Sequence, residues 1–230
     1  MRVVVGERMG GPEVLAVAER EAPRPGPGEV VVEVAAAGVN YMDIYQREGV
    51  GNYRTEPPFV PGAEGAGTVV AVGSDVKDLS VGDHVAWAGQ GSSYAEQVAL
   101  PANRVVPVPD GMNLQVAAAA ILQGMTAHYL CTSTYPVREG DITVVHAAAG
   151  GVGLLLTQMV KRRGGLVVGP PRADRRSSSR SRPAPITSLA MTASATSSTR
   201  PVTVPGRTSC TTAWARTPST TAWRRCARAA

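Results

Sequence analysis

The sequence predicts a β-barrel-like N-terminal domain, then the beginning of an α/β domain, then a disordered basic tail. Short β-branched runs bounded by Gly and Pro fill roughly the first 110 residues. A strand, a glycine-rich turn, a helix and a further strand follow, in the order of a βαβ unit. From residue 170 onward, Arg, Ser, Thr and Pro replace most apolar residues, so this segment buries too little apolar surface to form a core.

These observations divide the 230-residue chain into three parts. We expect a first domain over residues 1–112, an incomplete second domain over 113–169 and a low-complexity tail over 170–230. Residues 1–169 carry 12 Lys and Arg against 17 Asp and Glu, whereas the tail carries 11 Arg and no Lys against one Asp. The overall charge of +5 therefore describes neither part and does not by itself indicate a nucleic-acid surface.

The order of predicted elements follows from hydrophobic patterning. Strands of the first domain are predicted at residues 3–5, 29–34, 67–73, 84–87 and 94–100. The apolar, Ala-rich stretch over 114–129 predicts two helices separated at Gly124. Residues 141–146 predict a buried strand of the parallel kind, followed by a helix over 154–163 and a strand that starts within 164–169.

Membrane and secreted classes are excluded at this stage. No run approaches the roughly 20 apolar residues that a membrane-spanning helix requires. The first residues lack the charged start and apolar run of a secretory signal. Cys131, Cys210 and Cys226 are far apart and form neither a disulfide framework nor a CxxC metal clamp. We therefore expect a cytoplasmic protein with no membrane partner.

The turn after the predicted strand at 141–146 has the composition of a dinucleotide-binding loop. Glycines let backbone N–H groups approach a pyrophosphate, and the helix N-terminus adds a positive dipole. The spacing from Ala147 to Gly153 is AxxGxxG, a variant of GxGxxG, in the strand-turn-helix context that this mechanism requires. A purely structural turn is the alternative, and His146 is expected to be buried. The predicted cofactor-binding residues of the turn are His146, Ala147, Gly150, Gly151, Val152 and Gly153.

Five motifs follow one another in the order and at the spacing of a known protein family. They lie at residues 36–45, 61–69, 81–85, 122–129 and 146–153. On these motifs the chain up to about residue 169 resembles the medium-chain dehydrogenase/reductase superfamily, in particular its zinc-free NADPH:quinone oxidoreductases. The resemblance implies a GroES-like first domain and a Rossmann-type second domain, of which the chain holds the first βαβ unit.

Two positions distinguish the chain from the zinc-dependent alcohol dehydrogenases of this superfamily. Those enzymes have Cys and His where this chain has Asn40 and Ala63, and neither of these residues binds zinc. The resemblance therefore implies no metal site, and NADPH-dependent hydride transfer to a quinone or another activated double bond. An enoyl reductase or a zinc-free alcohol dehydrogenase of the same superfamily is the alternative.

The resemblance also implies which side chains face the reaction. Asn40, Tyr45 and Tyr53 would be the catalytic residues facing the nicotinamide and the quinone, and Thr126 would contact the nicotinamide carboxamide. From the residues alone, the two tyrosines could be barrel-edge residues and Asn40 a turn former. Glu64 is expected to be an ion-pair or hydrogen-bond partner rather than a catalyst.

The basic tail has two interpretations. An Arg-rich arm could bind nucleic-acid phosphates, but only Trp214 and Trp223 offer base stacking. Alternatively, the tail is the product of a shifted reading frame, since Arg without Lys is natural for GC-rich codons. Shifted codons over 183–192 and 210–215 permit strings that resemble the next strands of the family. We favour the frameshift hypothesis, so nucleic acid is not an expected partner.

A frameshift after Gly169 would have physical consequences. The parallel sheet would keep two strands with unpaired edges. The residues that select between NADPH and NADH follow the second strand of this fold and would fall in the tail. Family members are commonly homodimers through an edge of this sheet, so that interface would be missing. We therefore expect the activity of the chain to be impaired or lost.

Overall fold

The computed structural model describes residues 1–169 and the backbone of a strand at 208–211. The chain forms two units, divided after Leu122. The expected boundary lies after residue 112, whereas the observed division falls inside the helix Leu114–Tyr129. The first half of this helix packs into a core of the first unit, and its second half packs into the core of the second unit.

The first unit is a β structure with one short helix of its own. Its strands are β1 (Arg2–Gly6), β2 (Leu15–Glu19), β3 (Glu29–Ala37), β4 (Glu64–Val72), β5 (His84–Ala88), β6 (Gln97–Pro101) and β7 (Val105–Pro107), and helix α1 (Tyr41–Glu48) lies between β3 and β4. The last five strands form an antiparallel sheet in the order β6-β3-β4-β5-β7. The β1–β2 hairpin is joined to neighbouring loops by bridges from Val3 to Ala95 and from Gly6 to Phe59.

Alternating side chains of this sheet build the main core. The buried residues are Val30, Val32, Val69, Val85, Trp87, Val98, Leu100 and Val105. Trp87 is the largest of them, and its indole N–H donates to Ser93 Oγ at 2.9 Å. A Cβ at Gly65 would overlap the Trp87 ring, so glycine is required where β4 passes this side chain.

Each predicted β-branched run lies wholly or partly in an observed strand, with altered bounds. β4 begins at Glu64, before the predicted start at residue 67, and β6 begins at Gln97, after the predicted start at residue 94. The elements β2, β7 and α1 were not predicted. β2 and β7 are short and mostly exposed, so tertiary pairing rather than propensity forms them.

Helix α2 (Leu114–Tyr129) corrects the expectation of two helices separated at Gly124. It is one continuous helix, followed by a π-helical turn over Leu130–Thr134. A glycine inside a helix costs only about 1 kcal/mol relative to alanine, and strong helix formers flank Gly124. The π-helical turn lies at the C-terminal end of α2, and the helical conformation ends at Tyr135, whose backbone is extended.

The second unit contains a small parallel sheet. Its elements after α2 are β8 (Ile142–Val145), α3 (Gly151–Arg162), β9 (Leu166–Val168) and β10 (Thr208–Thr211), and the strand order is β10-β8-β9. The pairing of β8 with β9 confirms the predicted parallel βαβ unit. Its core joins α2, β8 and α3 through Ala127, Val145, Leu156 and Val160.

Strand β10 corrects part of the expectation for the tail. Thr208–Thr211 pairs in parallel with β8, so the edge of β8 that was expected to be unpaired has a partner. The remaining tail residues, on which the expectation of disorder and the frameshift hypothesis rest, lie outside the described residues. Among the helices that the structure describes, none is long and apolar enough to cross a membrane.

Candidate functional site

The N-terminus of α1 holds the first predicted site residue, Asn40. Asn40 is the N-cap of this helix in an extended conformation, and the helix begins at Tyr41. The backbone N–H of Asn40 donates to Asp43 Oδ2 at 2.7 Å, so a side chain in the first turn anchors the residue that begins the helix. This contact fixes the backbone of Asn40 at the point where the chain enters α1.

Tyr94 reinforces the same carboxylate from the loop before β6. Its hydroxyl donates to Asp43 Oδ2 at 2.8 Å, and Asp43 is only 7% exposed. Burial, and then the hydrogen bond to the Asp43 carboxylate, raise the pKa of Tyr94 above the usual value of a phenol. The phenol therefore stays protonated as a donor. Gly62, with φ of +100°, leaves room for the Tyr94 ring, since a Cβ there would lie 2.6 Å from it.

Glu64, at the start of β4, holds the side chain of Asn40. Asn40 Nδ2 donates to Glu64 Oε1 at 2.8 Å, and the backbone N–H of Leu122 in α2 donates to Glu64 Oε2 at 3.1 Å. Glu64 is 0% exposed. Its expected role as a hydrogen-bond partner agrees with these contacts. Gly38 makes them possible, because a Cβ at that position would overlap Glu64 Oε1.

An aromatic pair lies near a cavity of the first unit. The rings of Tyr45 and Tyr53 have centroids 5.6 Å apart at an interplanar angle of 45°. A cavity of about 630 Å³ is lined by Tyr53, Asp43, Arg54, Phe59 and Ala63, among others. Of the three predicted catalytic residues, all within the described part of the chain, Tyr53 alone lines this cavity. Tyr53 is 46% exposed, so its ring is accessible to a ligand.

The glycine turn lies at the carboxyl end of β8 in the second unit. Gly150 is the N-cap of α3, and its N–H donates to Ala147 O at 2.8 Å. Ala147 has a positive φ of 52°, and a Cβ at Gly153 would overlap the Ala147 carbonyl. The tight turn therefore depends on a glycine where the helix approaches the strand end. Its glycine backbone is open to solvent at Gly150 and Gly151.

The other predicted residues of the cofactor site differ in exposure. His146 is exposed, which corrects the expectation of a buried histidine: β8 ends at Val145, so His146 belongs to the turn. Val152 packs against the core of the second unit. Thr126 is half-buried in the second half of α2.

The strand order of the parallel sheet indicates that the glycine turn lies at a position where ligands can bind. The chain runs from β8 through α3 to β9 on one side of β8, and β10 occupies the other side. The strand order therefore reverses at β8, and ligands of open α/β sheets bind beyond the carboxyl ends of strands at such a point. The acidic residues that would oppose an anion are absent from the first turn of α3.

No metal-binding cluster forms within the part of the chain that the structure describes. No three His, Cys, Asp or Glu side chains lie together there as ligands for a metal ion. At the positions where zinc-dependent relatives place ligands, Asn40 is hydrogen-bonded to Glu64 and Ala63 is a buried methyl group. The donor set at these positions does not fit zinc.

Sequence reasoning missed two residues of the first-unit site. Asp43 follows Asn40 by three residues, and this Asn-x-x-Asp spacing resembles a capping box, which could have indicated both α1 and the Asp43 contact. Tyr94 lies more than 50 positions from Asp43 in the sequence, and no local pattern indicates that they meet. The link exists only because the sheet brings the two loops together.

Comparison with known proteins agrees with this architecture. Residues 26–110 match the family described as the alcohol dehydrogenase GroES-like domain. The chain is 45% identical over 157 residues to a probable quinone oxidoreductase of Schizosaccharomyces pombe. The aligned region covers 68% of this chain and 47% of that protein. It is 36% identical over 167 residues to a 2-haloacrylate reductase of a Burkholderia species, and this alignment covers 70% of this chain and 50% of that protein.

A solved structure gives the same result for the fold. The quinone oxidoreductase of Escherichia coli complexed with NADPH aligns with a TM-score of 0.71 and 34% identity, over 74% of this chain and 52% of that one. The chain thus spans about half the length of the relatives it matches. These matches confirm the predicted GroES-like domain and the Rossmann-type sheet. The chain belongs to the quinone oxidoreductases of the medium-chain dehydrogenase/reductase superfamily.

Proposed function

We propose that the chain is an NADPH-dependent reductase that transfers hydride to quinones without zinc. The observation that supports this most is the glycine turn at the carboxyl end of β8, where the strand order reverses. The quinone oxidoreductase of E. coli, which was solved with NADPH, supports the choice of cofactor. The S. pombe relative supports quinones as the substrate class.

The residues of the turn fit the pyrophosphate of a dinucleotide. Gly150 and Gly151 are exposed and have no side chain that would keep a phosphate away from the backbone. The first N–H groups of a helix have no partner within the helix and carry a partial positive charge. NADPH, when bound, supplies the hydride. The backbone of this turn would bind its pyrophosphate, with His146, Ala147 and Val152 as flanking residues of the site.

The side chains of the first unit would orient the reacting rings. Asn40 offers a fixed amide, and the Tyr45–Tyr53 pair offers aromatic faces against which a planar quinone can stack. We propose that Thr126 contacts the nicotinamide carboxamide, as the resemblance to the quinone oxidoreductases implies. Hydride transfer to a quinone requires orientation and a dry pocket rather than a Lewis acid, which suits a site with Asn40 and Ala63 at the zinc-ligand positions.

A carboxylate-bearing double bond is a second candidate substrate. Arg54 lines the 630 Å³ cavity, and within the described residues it forms no salt bridge. The Burkholderia relative is a 2-haloacrylate reductase, and its name refers to a carboxylate with a conjugated double bond. An arginine in the cavity is suited to bind such a carboxylate.

Catalytic efficiency and cofactor choice depend on residues after Gly169. The preference for NADPH over NADH is set beyond the second strand in this fold, where the chain carries its Arg- and Ser-rich segment. We propose that turnover is impaired relative to the matched enzymes, because this segment contains few apolar residues to complete the core of the sheet.

Substitution of Gly150 tests the cofactor site. Gly150 has φ of −81°, which any residue adopts, and Asp and Ser are both favourable N-caps. Gly150→Asp places a negative charge where the pyrophosphate would bind, so we expect NADPH affinity to fall at least about tenfold, because like charges repel at short range. Fluorescence titration with NADPH measures this effect.

The control is Gly150→Ser, which adds a smaller polar N-cap side chain without the charge. It should bind NADPH within about threefold of the unsubstituted chain, a difference of at most about 0.7 kcal/mol. Equal NADPH affinity of the Asp and Ser variants, or no NADPH binding by the unsubstituted chain, would contradict the proposed function.

A further inference from the structure

The hydrogen bond between Glu64 and Asn40 determines how the Asn40 amide is turned. A carboxylate oxygen can only accept, so the nitrogen end of the Asn40 amide must face Glu64 Oε1, at 2.8 Å. The amide oxygen is then set on the opposite side of the group. Without Glu64, the two ends of an asparagine amide are nearly equivalent in shape, and either could face this direction.

Glu64 is itself held in place from several sides. Its Oε2 accepts from the Leu122 N–H at 3.1 Å, and its own backbone carbonyl accepts from the Gly38 N–H at 3.2 Å. The side chain is 0% exposed. Both carboxylate oxygens face N–H donors, which is the pattern that an ionised carboxylate satisfies. Glu64 therefore has little freedom to let the Asn40 amide rotate.

The backbone of Asn40 is held as firmly as its side chain. Asp43 Oδ2 accepts the Asn40 N–H, and the same oxygen is held by the Tyr94 hydroxyl. Asn40 is thus fixed at its main chain by one carboxylate and at its amide by another. Such support from neighbouring groups is what keeps a functional side chain within a fraction of an ångström of its working position.

We propose that Glu64 is a positioning residue that acts on the nicotinamide through Asn40. This inference rests on the proposed function. Hydride donation turns a neutral nicotinamide into a cation, and a fixed negative charge behind Asn40 polarises the amide toward that cation. Glu64 would therefore favour the oxidised cofactor relative to the reduced one, in addition to setting the orientation of the amide.

The variant Glu64→Gln tests the charge and the orientation together. A Gln side chain can present its oxygen to Asn40 only by turning its NH2 group toward the Leu122 N–H, which places donor against donor. We expect the ratio of the dissociation constants for NADP+ and NADPH to rise on the order of tenfold, the usual range for one hydrogen bond to a charged group. Fluorescence titration with each nucleotide gives this ratio.

Glu33→Gln is the matched control. It makes the same chemical change on β3, at an exposed side chain, and should leave the ratio unchanged. Gly38→Ala is an independent second variant: it leaves Glu64 and Asn40 intact, but its methyl group would displace the Glu64 carboxylate. It should shift the ratio in the same direction as Glu64→Gln. An unchanged ratio in folded Glu64→Gln would overturn the proposal.

Nuclear magnetic resonance provides a readout that needs no cofactor. In the unsubstituted chain, one proton of the Asn40 side-chain amide should resonate downfield and exchange slowly, because it is bonded to a buried carboxylate. Glu64→Gln should remove this signature and Glu33→Gln should keep it. Ordinary shifts and fast exchange for Asn40 in the unsubstituted chain would overturn the proposal even if no Glu64 variant folds. Failure of NADPH to bind, with the amide signature present, would instead overturn the proposed function.

Discussion

Individual residues of the site are defined by which atoms donate and which accept. Asp43 and Glu64 are buried carboxylates, and Asn40 lies between them. Both oxygens of Glu64 accept N–H donors, whereas Oδ2 of Asp43 accepts both of the donors that reach this side chain. Placing these groups out of water is costly unless they are hydrogen-bonded, and one structural role of the network is to satisfy them. Their arrangement also gives Asn40 one orientation, which the proposed hydride transfer requires.

The Tyr94 phenol gives this network a pH dependence. Its pKa is raised by burial and by Asp43, so the folded chain holds this proton more tightly than the unfolded chain does. The stabilisation is complete below the unfolded pKa, which is about 10, and is lost as the pH rises from there toward the folded pKa.

We therefore expect the free energy of unfolding to fall between about pH 9.5 and 11, around the usual pKa of a phenol. Tyr94→Phe should flatten this decline, and Tyr41→Phe, at an exposed side chain, should not. Urea unfolding across this pH range measures both. The same decline in the Tyr94→Phe variant as in the unsubstituted chain would refute this account of the phenol.

Among the elements, α1 depends most on a single side chain. Asp43 accepts from the Asn40 N–H and from the Tyr94 hydroxyl, so Asp43→Ala leaves two donors without their acceptor. We expect a loss of about 2 kcal/mol or more in the free energy of unfolding, as for buried groups that lose a partner. Ile44→Ala, on the same helix at a partly exposed position, should cost about 1 kcal/mol or less. Equal losses for the two variants in chemical denaturation would contradict the capping role of Asp43.

The predictability of the elements follows the source of their stability. The strands around Val30, Val69 and Val85 could be predicted because alternating apolar residues fill one core. β2 could not, because its residues are mostly exposed and pairing with β1 forms it. The break expected at Gly124 was wrong because tertiary packing of α2 outweighs one poor helix former.

The candidate site was predictable to a similar extent. The glycine turn has a local sequence pattern and a local mechanism, and the sequence located it correctly between a strand and a helix. The contacts of Asn40 with Glu64, and of Asp43 with Tyr94, join residues far apart in the sequence. Such contacts depend on strand register, which no motif specifies.

At the scale of the whole molecule, β10 gives β8 a second neighbouring strand, so that β8 is paired on both sides. Its pairing uses backbone groups, so substitutions that remove N–H groups test it directly. The backbone N–H groups of adjacent strand residues point to opposite edges of the strand. The N–H group of either Ser209 or Cys210 therefore points toward β8. The double variant with proline at both positions should lose this pairing.

We expect hydrogen exchange of the peptide that contains β8 to become faster in this proline variant. The control is the double alanine variant at the same two positions, which keeps both backbone N–H groups and should exchange as the unsubstituted chain does. Mass spectrometry of exchanged peptides measures the difference. Identical exchange of β8 in the proline and alanine variants would show that β10 does not stabilise this edge.

The most direct test of the account is the oxidation of NADPH by a quinone, with NADPH deuterated at the transferred position as the comparison. We expect quinone-dependent oxidation that is slower than that of the E. coli relative run alongside, slower still with the deuterated cofactor, and unaffected by a zinc chelator. NADPH that is not oxidised above the rate without protein, or oxidation that the chelator abolishes, would contradict zinc-free hydride transfer by this chain.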